Sequence, residues 1–100
     1  MTEPDPAFDT THPCGHILFR SCRGGYLHSV VLSEGAMDIE AGELARGILL
    51  AAEVSYLKAV MEVRAEIIAA GHSPSAELPG PQELAAAQAA LAEHQDLGRR

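Results

Sequence analysis

The sequence predicts a small α+β domain: a three-stranded antiparallel sheet, one long helix packed on it, and a short C-terminal helix. Three observations carry that expectation. Two β-rich runs, His16–Cys22 and Tyr26–Leu32, are joined across Gly24-Gly25, and glycine supplies the positive φ that tight hairpin turns require. Apolar residues then recur with helical period from about Glu40 to Ala70, with Gly71 following as a stop. After a Ser/Pro/Gly stretch, Pro81 opens an alanine-rich run of high helix propensity.

In chain order, residues 1–6 read as a flexible acidic, proline-rich tail, and residues 7–71 as the sheet and long helix. A first short strand falls within Ala7–Thr11, followed by a turn at His12-Pro13-Cys14-Gly15. Ile17 and Phe19 share one face of the next strand, with Val30 and Leu32 as cross-strand partners. Leu27 is out of phase with Val30 and Leu32, so burying all three calls for a bulge near His28-Ser29. Ser33–Met37 is a connector, and Asp38 or Glu40 stands at the start of the long helix, Asp38 being the better N-cap type. Gly42 and Gly47 weaken its first turns but permit close approach to the sheet. Residues 72–80 form a linker, and residues 81–96 the C-terminal helix, with Leu84, Ala87 and Leu91 as its thin apolar line.

The long helix would span roughly 45 Å at its rise per residue, more than a three-stranded sheet covers. Placing residues every 100° separates two faces. Leu44, Ile48, Ala51, Ala52, Ser55 and Ala59 form a small-residue face suited to the sheet. Leu49, Leu50, Val54, Leu57, Val60, Met61, Ile67 and Ile68 lie on the other, with Val63 between the two faces and Glu53 and Arg64 interrupting the stripe. Positions 50, 54, 57 and 61 keep the spacing of a coiled-coil seam. This stripe is the expected interface, and in an antiparallel two-fold pairing Glu53 of one copy would lie near Arg64 of the other. An aspartate at Leu57 is then expected to abolish association while leaving the strands intact.

Composition narrows the function. The 100 residues are 47% apolar but only 4% aromatic, which makes a thin core and favours a homodimer or a complex. Seven basic residues against fourteen acidic ones, for a net charge of −7, suit nucleic acid poorly, because that binding gains most from Lys and Arg on phosphates. No run reaches the length of a membrane span and the N-terminus lacks the basic and apolar pattern of a signal peptide, so a cytoplasmic protein is expected. His12, Cys14 and His16, with Cys22 and His28 beyond them, are the one cluster of ligand chemistry. Pro13 and Gly15 break the helix that would align His12 with His16, and there is no CxxC pair, so no metal and no cofactor are expected. Glu62 and Glu66 read as a solvated face, and no catalytic residue stands out.

The order of segments resembles the mycobacterial Esp accessory proteins of type VII secretion, EspD and EspH among them. Phe8-Asp9-Thr10-Thr11-His12-Pro13 is similar to their Phe-Thr-Val-Thr-Asn-Pro segment, and Gly25-Tyr26-Leu27-His28-Ser29-Val30-Val31-Leu32 to Gly-Arg-Ile-x-His-Val-Glu-Leu. Glu43-Leu44-Ala45-Arg46-Gly47-Ile48 is similar to Gln-Leu-Ala-x-Glu-Ile, and Leu78-Pro79-Gly80-Pro81-Gln82-Glu83 to their Leu-Pro-x-Pro linker before an alanine-rich helix. The hairpin and long helix also resemble the YbaB family, here truncated because residues 1–6 leave no room for its first helix. The resemblance implies a non-enzymatic cytoplasmic accessory or chaperone-like protein that binds secretion-system substrate proteins. The YbaB likeness implies a homodimer and, as the alternative function, a nucleoid-associated DNA-binding protein.

Overall fold

A computed structural model describes residues 8–22 and 27–94. Within them the chain runs β1 (Thr10–Thr11), β2 (Ile17–Ser21), β3 (Leu27–Leu32), a 3-10 helix (Glu34–Asp38), α1 (Ala41–Ala69) and α2 (Pro81–Glu93). The sheet is antiparallel with β2 at its centre, so the expected α+β architecture is the observed one. The tail, the Gly24-Gly25 turn and residues beyond His94 lie outside the described residues.

The β2–β3 register pairs Ile17 with Leu32 and Phe19 with Val30, as alternation predicts. A register shift after Arg20 leaves His28 without an opposite residue, which is the bulge the phase of Leu27 calls for. Its expected reason differs from the outcome. Leu27 and Leu32 remain exposed, so the bulge re-aims the strand end without burying Leu27. The first strand is shorter than Ala7–Thr11 because Asp9 is used otherwise: its Oδ1 accepts the Ser21 amide at 3.1 Å and its carbonyl accepts Lys58 Nζ at 2.7 Å.

The connector is a 3-10 helix whose Ala36 packs, with Ile39, against Ile17. Burying Ile39 moves the α1 N-cap from Asp38 to Glu40. The Glu40 carboxylate curls back to accept the amides of Gly42 at 2.9 Å and Glu43 at 3.2 Å. At the other end Gly71 adopts φ +89°. Its amide donates to the Ile68 carbonyl and the His72 amide to the Ile67 carbonyl, the paired bonds of a Schellman stop.

Helix α1 lays Ala51 and Ser55 on the sheet, both fully buried, and Leu44 and Ile48 pack beside them as the small-residue face predicts. Gly47 is the point of closest approach: a Cβ there would lie 3.0 Å from Ile17 Cδ1 and 3.2 Å from His12 Cδ2. Gly42 instead faces the Glu40 carboxylate. Thr10 Oγ1 and Ser55 Oγ share a buried hydrogen bond of 2.6 Å that joins sheet to helix.

Helix α2 docks on α1. Leu91 is buried among Phe19, Ala51 and Val54, with Leu84, Ala87 and Leu50 around them. The linker is held from α1: Arg64 Nη1 donates to the carbonyls of Leu78 at 3.3 Å and Pro79 at 3.5 Å. Pro81 takes the first helical position, and Glu83 accepts the Gly80 amide at 2.7 Å. The helix runs to Glu93 with His94 as its C-cap, and residues 95 and 96 of the expected helix lie outside the described residues.

Candidate functional site

The expected interface stripe divides in the structure. Val54, Leu57 and Val60 are buried within the chain itself, the first of them by α2. Leu50, Met61, Arg64 and Ile67 are half-buried, and Glu53 and Ile68 are exposed. The physical reason is that Leu84, Ala87 and Leu91 of the same chain supply part of the cover the stripe needs. Leu57→Asp would therefore place a charge in the core, and is not a test of association. Arg64 is engaged by the linker carbonyls, so a Glu53–Arg64 pair between copies would have to compete with them.

Another line on α1 does face solvent. Leu49, Tyr56 and Val63 are 70%, 48% and 44% exposed. They stand seven residues apart, which keeps them on one side of the helix. At 100° per residue that line is turned on average about 120° away from Ala51 and Ser55, which contact the sheet. The seven-residue spacing is visible in the sequence. The sequence does not separate it from the seam at 50, 54, 57 and 61, because the apolar residues of α1 have equal claim to burial until α2 is placed.

A second feature was not legible. His12, in the turn after β1, is fully buried. Its Nδ1 accepts the Cys14 amide at 3.0 Å, and its Nε2 bonds His94 Nδ1 at 2.9 Å. His94 Nε2 then meets Glu43 Oε1 at 2.9 Å. The two rings stand edge to face at 5.1 Å between centroids. The chain of bonds ties the β1–β2 turn, the first turn of α1 and the end of α2 together. Burial first, and the neighbouring His94 second, hold the His12 pKa below its ordinary value. Residues 12 and 94 are separated by most of the sequence, and nothing local signals their meeting.

The remaining members of the His/Cys cluster disperse. His16 Nδ1 bonds Ser33 Oγ, His28 Nδ1 bonds Ser29 Oγ at 3.1 Å, and Cys14 Sγ accepts the His16 amide at 3.4 Å. Among the described residues no group of three or more His, Cys, Asp or Glu side chains could hold a metal ion. All four ring nitrogens of His12 and His94 are committed to protein partners, so in this arrangement neither offers a lone pair to a substrate. An open cleft of about 200 Å³ beside His94 is lined by Arg46, Leu50, Ala90 and Glu93. No helix among the described residues is long and apolar enough to cross a membrane.

Comparison with known proteins places the chain in a family. The family described as "Protein of unknown function (DUF2694)" matches residues 1–97. The chain is 61% identical over 100 residues to uncharacterized protein Mb0029 of Mycobacterium bovis, an alignment covering 100% of this chain and 98% of that protein. The same identity and coverage hold for uncharacterized protein Rv0028 of Mycobacterium tuberculosis. No solved structure matches the chain at a significant level. The chain belongs to the DUF2694 family.

Proposed function

We propose that this member of the DUF2694 family is a non-enzymatic accessory protein that works by protein–protein binding, as a homodimer, in the cytoplasm. The observation that carries this reading is the Leu49–Tyr56–Val63 line on the solvent side of α1. Large apolar side chains aligned at heptad spacing along one exposed helix face are what a helical partner covers. In an antiparallel two-fold pairing centred on Tyr56, Leu49 of one copy meets Val63 of the other. The resemblance of the Leu78–Glu83 linker and its alanine-rich helix to the Esp accessory proteins supports a role in type VII secretion, with secretion substrates as the further partners. The mycobacterial relatives are in keeping with that setting.

The test is affinity capture from nuclease-treated mycobacterial cytosol with the wild-type chain and with Leu49→Asp/Tyr56→Asp. Both positions are exposed, so the variant keeps its core. Recovery of exported or secretion-apparatus proteins by the wild type, lost in the variant, is expected. Recovery only of nucleoid proteins, or recovery indifferent to the two aspartates, contradicts the reading.

A further inference from the structure

We propose that the His12–His94–Glu43 chain is a pH-sensitive latch, closed at neutral pH and opened in mild acid, that holds the end of α2 on the body of the domain. The argument is a proton count. The Cys14 amide points at His12 Nδ1, so that nitrogen carries the lone pair and Nε2 carries the proton. The Nε2–H donates to His94 Nδ1, which must then be the lone pair of the second ring. The remaining His94 proton, on Nε2, donates to Glu43 Oε1. All three bonds form together only when both rings are neutral.

An added proton finds no vacant place. On His94 it lands on Nδ1 and faces the His12 Nε2–H. His12 can turn acceptor there only by moving its own proton to Nδ1, against the Cys14 amide. On His12 the added proton lands on Nδ1 directly and meets the same amide. Whichever ring charges, one bond is lost, and full burial of His12 keeps water from replacing it.

The opposing pull comes from carboxylates. Glu43 favours a charged His94, but its side chain is 46% exposed, so solvent screens the attraction. Glu93 of α2 lines the cleft beside His94, and Arg46 of α1 lines it too with the opposite sign. Around His12 the turn offers the Cys14 amide, and α1 offers the uncharged Gly47. No carboxylate bonds the His12 ring directly, so the bond lost when His12 charges is not offset there. A histidine whose folded pKa is depressed contributes stability above its ordinary value of 6.5, and that contribution is lost as pH falls toward the lowered value.

The test is amide hydrogen exchange by NMR on the full chain at pH 7.5 and pH 5.0, corrected for intrinsic rates. A docked state that refuses one histidine proton should lose α2 protection across that interval, by up to about thirtyfold where the proton is refused throughout. The loss is expected at Leu84–Leu91, while Ile17–Arg20 of β2 changes far less. The double variant His12→Gln/His94→Gln has nothing to titrate there, so its α2 protection, high or low, is expected to be flat with pH. A wild-type change below about threefold overturns the latch. So does a loss shared equally by β2, or one of equal size in the double variant.

Discussion

Gly47 shows how one residue fixes the distance between helix and sheet. Alanine there would gain up to about 1 kcal/mol of helix propensity. Its Cβ would also sit 3.0 Å from Ile17 Cδ1, against a fully buried side chain. Overpacking of that kind costs about 1–3 kcal/mol, so Gly47→Ala is expected to lower stability in urea unfolding. A gain in stability would mean that the helix does not approach so closely. Ser55 poses the complementary case. Ser55→Ala leaves the buried Thr10 hydroxyl without its 2.6 Å partner, at a cost of about 1–2 kcal/mol. Pairing it with Thr10→Val is expected to recover part of that loss, and a purely additive double variant would contradict the role given to the bond. These residue-scale contacts were only partly legible. Gly47 stands out in a helical run as a place for close approach, whereas His12 and His94 meet only because α2 folds back across the domain.

At the scale of elements the sequence is more informative. The β2–β3 register follows from alternation, because a slip of one residue would turn Ile17 and Phe19 to solvent. The end of α1 follows from Gly71, and the start of α2 from Pro81 with Glu83 behind it. The start of α1 was less legible. Asp38 is the better cap by residue type, but burial of Ile39 leaves Glu40 at the boundary. Helix α2 depends on few side chains, and Leu91 is the one it buries. Leu91→Ala is therefore expected to cost about 2–4 kcal/mol and to lower amide protection along α2. Unchanged protection would mean that α2 is held by something other than this contact.

Over the whole molecule, the sequence announces more apolar helix surface than three strands can cover, and the structure shows how the surplus is shared. Part of it, around Leu50 and Val54, is taken by α2 of the same chain. The line Leu49–Tyr56–Val63 remains in solvent. Telling the two apart requires knowing which side α2 docks on, and its short line of Leu84, Ala87 and Leu91 does not by itself name a face of α1. The measurement that tests the proposed role most directly is the molar mass of the full chain by sedimentation equilibrium, wild type beside Tyr56→Asp. The wild type is predicted at twice the chain mass of 10.6 kDa and the variant at 10.6 kDa, with unchanged circular dichroism. A wild type that stays at the single-chain mass at its highest soluble concentration, or a dimer that survives Tyr56→Asp, would contradict it.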